Sequence, residues 1–201
     1  MSKRIVVIDG TLTPFLRSGT DYMDLMSYQL GQHAIKGLLD KTGIDPKEVG
    51  YVVMGTVIAN VKTGNVARES AITAGVPYTA PCHTVTMACI SANQAIVSAM
   101  HVLQNGDADV AIAGGTDSVS DAPIMFNKKM RKKLFKAQKL KGAADSLKFV
   151  STLRPSDFVP DAPAVAEYLT GRTMGLDCDI LAARYNVTRQ EQDEFAVRSH
   201  Q

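Results

Sequence analysis

The hydrophobic pattern divides the chain into two regions. In the first, short apolar runs alternate with stripes at helical spacing. Arg4-Ile-Val-Val-Ile8 is a β-branched run and predicts a buried strand. After a loop containing Pro14, the residues Met23, Met26, Leu30, Ala34, Leu38 and Leu39 fall near one stripe. They predict a helix over 21–39, with Asp21 as its cap and Asp24 three residues on. Gly43 and Pro46 break it. Tyr51–Met54, extended toward Ile58, predicts a second strand. Asn65–Ala74 predicts a short helix capped by Asn65, and Thr84–Met87 a third strand. Ala95, Ile96, Ala99, Val102 and Leu103 recur at helix spacing as far as Asn105-Gly106. Val110–Ala113 predicts a fourth strand, closed by Gly114-Gly115.

Strands alternating with helices through short connections predict an α/β architecture with parallel pairing and a sheet covered on both faces. Sites in such sheets gather at the carboxyl ends of strands. Cys89 stands there, between the third strand and the next helix. The first-turn amides of that helix have no intrahelical acceptor, and its dipole places positive charge nearby. Both favour a thiolate, so the position suits a nucleophile. A buried structural cysteine is the competing reading.

Beyond about Val119 the strand signals nearly vanish. A lysine-rich stretch leads to Pro155, Pro160 and Pro163, and then to helical sequence. Thr188-Arg-Gln-Glu191 is a capping box opening a last helix that carries Phe195 and Val197.

Composition narrows the picture. A chain of 201 residues with 45% hydrophobic and 21% charged residues is ordinary for a globular protein. No apolar run approaches the length of a membrane span. The start shows neither a secretory h-region nor an Arg/Ser-rich transit peptide, so a cytoplasmic chain and a processed one are both expected readings. Three cysteines without a CxxC argue against a disulfide framework and a structural zinc site. Of the 22 basic residues, eight lie in 126–141 with no acid among them, which leaves 14 against 20 acidic residues elsewhere. The basic character is local.

Several motifs in order carry a family resemblance. They are VTMACISANQAI around Cys89 and Ser91, VAIAGGTDSVSDAP from Val110, and Met174-Gly175. The opening run from Val7 to Phe15 and the terminal pattern from Tyr185 to His200 complete the set. Together the chain resembles the thiolase family from residue 5 to 200. Within that family it looks most like the branch forming the β subunit of a fatty-acid oxidation complex. The resemblance implies a three-layer α-β-α core half with a mixed, mostly parallel sheet over 1–119, lacking its last strand. Part of an inserted α-rich loop domain would occupy 120–201. It implies acyltransferase chemistry: thiolytic cleavage of a 3-ketoacyl-CoA through an acyl group held on Cys89. Met174 matches the position lining the pantetheine and acyl tunnel. The implied substrates are acyl-CoA and CoA, with no cofactor and no metal. The implied partners are a second copy and a hydratase/dehydrogenase α subunit.

The chain departs from the family pattern at Ala92, where most members have Gly. It has no match to the family's second catalytic cysteine, its Gly-His-Pro histidine or its Asn-Glu motif. None of His33, His83, His101 and His200 sits in such a motif. His83 lies near the amino end of the third strand, roughly 13 Å or more from the sulfur by strand rise. The expectation is an incomplete thiolase that shows no turnover in thiolysis assays by itself.

The stretch 126–141 places Met130, Leu134, Ala137 and Leu140 on one stripe. Lys128, Lys129, Arg131, Lys132, Lys133 and Lys136 fill the other side. A basic amphipathic helix of this kind suits an anionic membrane surface. Leu147, Phe149, Val150 and Leu153 offer a second apolar face. A solvated helix packed on its domain is the plainer reading, and no nucleic-acid recognition motif accompanies the charge. The expected location is cytoplasmic or peripheral on a membrane in a bacterium, and the inner membrane or matrix of mitochondria for a processed eukaryotic chain. Two alternatives stand beside the acyltransferase. One is a non-catalytic membrane-docking or assembly module. The other is a condensing enzyme of the ketoacyl synthase type, against which the motifs at 173–200 speak.

Overall fold

The stripe through Leu30, Ile35 and Leu39 forms helix α1, Ser27–Thr42. Gly43 ends it with φ 69°, a left-handed cap that a side chain would strain. Strand β1 is Tyr51–Gly55. Helix α2, Val66–Thr73, follows its cap Asn65, whose side chain accepts from the Arg68 amide. Strand β2 is Cys82–Val85, helix α3 is Ser91–Asn105, and strand β3 is Ala111–Gly115. This is a computed structural model; it describes residues 4–161 and 166–201, so Pro163 lies outside the described residues. The chain divides into two compact units, Met1–Pro123 and Ile124–Gln201.

In the first unit the strand order is β2-β1-β3, and both pairs are parallel. Because side chains alternate across a strand, β1 serves two cores. Val52 and Met54 pack with Ile35 and Leu39 of α1, Val66, Ala67 and Ala71 of α2, and Ile112 of β3. Val53 points the other way, against Ala95 and Ala99 of α3. The result is a three-layer α-β-α arrangement, as the alternation of elements predicts. Val52 and Val53 are fully buried, and each contributes roughly 1.5–3 kcal/mol by leaving water. Small residues let the layers close. A Cβ on Gly31 would strike the Ser70 side chain, and one on Gly55 would run into the backbone of Ser91 and Ala92.

Two expectations for this unit fail. Residues 4–8 form no strand, and Val6, Val7 and Ile8 are exposed. A β-branched run becomes a strand only when a neighbour supplies a hydrogen-bonded ladder, and this run pairs with no described strand. The first helix also begins at Ser27 rather than Asp21. Residues 18–24 make turns instead. The Gln29 side chain reaches back to the Met26 amide at 2.9 Å, satisfying one of the orphan donors at the helix start.

The second unit is held differently. Strands β4, Met125–Phe126, and β5, Pro160–Asp161, form a short antiparallel pair. The basic stretch forms α4, Lys128–Ala137, and is followed by α5, Ala143–Ser151. Asn127 caps α4 through the Met130 amide and donates from its side chain to the Ser156, Asp157 and Val159 carbonyls. Met130 is buried, whereas Phe135, Leu147 and Val150 are exposed. Helices α6, Met174–Arg184, and α7, Arg189–His200, complete the unit. Thr188 and Glu191 form the expected capping box: the Glu191 carboxylate accepts from the Thr188 amide at 2.7 Å, and the Glu191 amide donates to the Thr188 hydroxyl at 3.2 Å.

Lys133, one of the six basic residues expected at a membrane surface, is engaged inside its own unit. Its ammonium lies 2.5 Å from the buried Asp157 carboxylate and also donates to the Thr152 carbonyl. A carboxylate this buried needs a paired cation, and Lys133 supplies it. Arg131 is partly engaged as well, 3.6 Å from Asp161.

Candidate active site around Cys89

Strand β2 ends at Val85, and the chain makes a tight turn before α3 begins at Ser91. Ala88 has φ 47°, a left-handed conformation that an alanine rarely takes. Backbone strain of this sort marks positions where a turn re-aims a side chain. The turn closes on itself through Ile90 N–H to the Met87 carbonyl at 3.2 Å and Ser91 N–H to the Ala88 carbonyl at 3.2 Å. The buried Ser91 hydroxyl donates to the Ala88 carbonyl at 2.6 Å and accepts from the Met87 amide at 2.8 Å. Cys89 stands exposed on this turn, beside the start of α3. Among the described residues the amides of Ala92 and Asn93 in the first turn of α3 have no hydrogen-bond acceptor. The partially positive end of the α3 dipole lies at the same turn.

The carboxyl ends of the other strands converge on the same edge. The Thr56 amide donates to the Val85 carbonyl, and the Thr116 amide to the Gly55 carbonyl. Asp117 accepts from the Thr56 hydroxyl at 2.8 Å, the Val57 amide at 3.0 Å and the Ile58 amide at 2.7 Å. That carboxylate ties the loop after β1 to the loop after β3. Gly115 lies against Ala92: a Cβ there would stand 2.9 Å from the Ala92 Cβ. The space that Ala92 needs is therefore left open by Gly115.

The other thiols are differently placed. Cys82 is half-buried in β2, and burial pushes its thiol up while the Arg68 charge opposes the shift. Cys178 is exposed on α6. His83 sits in β2 opposite Val53, edge-on to the Tyr51 ring at 5.6 Å. Met174 is the first residue of α6 and is half-exposed, in the second unit. Of the six basic residues singled out in the sequence, Lys128, Lys129, Lys132 and Lys136 make no ion pair among those described.

The sequence pattern overlooks three parts of this site. Ser91 enters only as a motif residue, although a hydroxyl two positions after a turn cysteine is a signal for a turn clamp. Gly55 ends a strand, where a glycine signals close backbone approach. Asp117 has no local signal, because its partners lie about 60 residues earlier in the chain.

Fold and site together define an α/β protein that presents an exposed cysteine on a strained strand–turn–helix. Residues 5–201 match the family model described as "Thiolase, N-terminal domain", and the chain belongs to the thiolase family. It is 48% identical over 198 residues to the mitochondrial trifunctional enzyme subunit beta of Bos taurus, covering 98% of this chain and 42% of that protein. It is 39% identical over 197 residues to the 3-ketoacyl-CoA thiolase of Pectobacterium carotovorum, covering 98% of this chain and 45% of that protein. The crystal structure of the Bacillus anthracis acetyl-CoA acetyltransferase is similar with a TM-score of 0.69 and 27% identity, over 91% of this chain and 42% of that one. The chain thus spans less than half the length of these relatives.

Proposed function

We propose that this chain carries the nucleophile of a 3-ketoacyl-CoA thiolase acting in fatty-acid β-oxidation. The observation that carries the reading is the exposed Cys89 on its strained turn, at a helix start whose Ala92 and Asn93 amides have no acceptor among the described residues, at the carboxyl edge of a parallel sheet. The names of the relatives support the substrate class.

In this reading the Cys89 thiolate attacks the 3-keto carbon of the acyl-CoA. The bond between C2 and C3 breaks, and its electron pair leaves on the enolate of acetyl-CoA, which then takes a proton. The shortened acyl group stays on sulfur as a thioester. The thiolate of a second CoA attacks that carbonyl, forms the shortened acyl-CoA and returns Cys89. The Ala92 and Asn93 amides would meet the oxyanion. Proton transfer belongs, by the family resemblance, to a second cysteine and a histidine for which this chain has no matching motif. Met174 would contact the pantetheine or acyl chain through its flexible thioether. Coenzyme A is a substrate in this scheme. Partners would be a second copy and a hydratase/dehydrogenase α subunit, in mitochondria for a eukaryotic source. The test is alkylation of Cys89 near neutral pH. Acyl-CoA should protect Cys89 and leave Cys178 unprotected; equal protection of both, or of neither, would count against the reading.

A second reading is membrane docking by the second unit. It is favoured by Lys128, Lys129, Lys132 and Lys136 of α4, which make no ion pair among the described residues, and by exposed Leu147 and Val150 on α5. No helix among the described residues is long and apolar enough to cross a membrane, so attachment would be peripheral. Flotation with anionic liposomes tests it.

A further inference from the structure

We propose that Ser91 is a positioning residue for Cys89. Its hydroxyl holds Ala88 left-handed and so fixes where the sulfur stands; the inference rests on Cys89 being the nucleophile. Ala88 has φ 47°, and nothing in its own side chain favours that conformation. What holds it is its carbonyl, which receives both the Ser91 amide at 3.2 Å and the Ser91 hydroxyl at 2.6 Å. The same hydroxyl accepts from the Met87 amide at 2.8 Å. One buried side chain therefore grips both residues that precede the cysteine.

An ordinary helix cap would behave differently. A capping serine stands before the helix and accepts from amides of its first turn. Ser91 is the first helical residue, and its hydroxyl is directed back into the turn. That leaves the Ala92 and Asn93 amides, at the helix start that follows Cys89, without an acceptor among the described residues. Gly55 supports the arrangement from behind, since a Cβ there would displace the Ser91 backbone.

The experiment uses the 201-residue chain and iodoacetamide, which needs no binding site. Cys178, exposed in the other unit, is the internal rate standard, and half-buried Cys82 reports unfolding. Ser91→Ala should slow alkylation of Cys89 relative to Cys178 about tenfold, the rate equivalent of the cost of a left-handed alanine. Adding Ala88→Gly should restore the rate, because glycine adopts positive φ freely. Unchanged Cys89 reactivity in Ser91→Ala would overturn the proposal. So would a double variant that reacts more slowly than Ala88→Gly alone, or that unfolds where Ala88→Gly does not. The second comparison decides the matter even if Ser91→Ala exposes Cys82. Failure of an acyl-CoA to acylate wild-type Cys89 would remove the acyltransferase reading and leave this comparison intact.

Discussion

The two units solve the problem of staying folded in opposite ways. The first buries Leu30, Ile35, Leu39, Val52, Val53, Met54 and Ile112 around a parallel sheet. The second buries one apolar side chain, Met130, among its described residues, and beside it the charged Asp157. Apolar burial is non-directional, so it fixes layers and leaves fine geometry to small residues such as Gly55. Polar staples are directional: Asn127 and Lys133 each tie α4 to the segment 152–159. Cys89, the proposed nucleophile, belongs to the unit with the larger apolar core, which suits a group that must stand at one place. The exposed basic helix belongs to the unit held by a few polar contacts.

Substitutions can break this contrast. Met54→Ala should produce the largest loss, about 2–5 kcal/mol, because a buried methionine leaves a cavity between sheet and helices. Thermal denaturation with amide exchange read in α1 to α3 checks it. Gly55→Ala should cost about 1–3 kcal/mol by overpacking. It should also slow Cys89 alkylation, since the start of α3 must move. Leu147→Ala, at an exposed position of α5, should change stability by no more than about 0.5 kcal/mol.

The staple in the second unit should respond to pH. The hydrogen bond from Lys133, followed by that from the Arg154 amide, holds the Asp157 carboxyl below its ordinary value of 3.8. A carboxylate lowered in this way adds stability that is complete above its unfolded value. That stability is lost as pH falls through the folded value. Amide protection in α4, taken relative to the intrinsic exchange rate at each pH, should therefore fall below about pH 4, and Asp157→Asn should produce the same loosening at neutral pH. Fast exchange in the variant with α1 unchanged would confirm that the staple is local. The last effect concerns the surface and not stability. Replacing Lys128, Lys129, Lys132 and Lys136 by Gln should weaken binding to anionic liposomes, at about 1 kcal/mol per residue near the bilayer. Lys133→Gln should act through stability instead. Equal liposome binding by all variants would remove the membrane reading.

Much of the first unit is legible in the sequence because its signals are local. The apolar run at Tyr51, the Asn65 cap and the Gly106 stop each depend on a few neighbouring residues, and each is found where the pattern puts it, within a residue or two. The run at residues 4–8 misleads because strand formation depends on a partner that the run cannot specify. The same reason hides Lys133: its partner Asp157 is 24 residues away, and neither residue announces a pair. In the site, Cys89 is legible from its position between strand and helix. The hydroxyl clamp of Ser91 and the Asp117 tie are not, because they follow from turn geometry and from contacts far apart in sequence.

Whether Cys89 accepts an acyl group is decided by mass spectrometry of the chain after incubation with an acyl-CoA. A hydroxylamine-sensitive acyl adduct is expected on the peptide containing Cys89, absent from Cys89→Ala, with Cys82 and Cys178 unmodified. An intact, folded chain with no adduct at Cys89, or one acylated equally at Cys178, would contradict that role for Cys89.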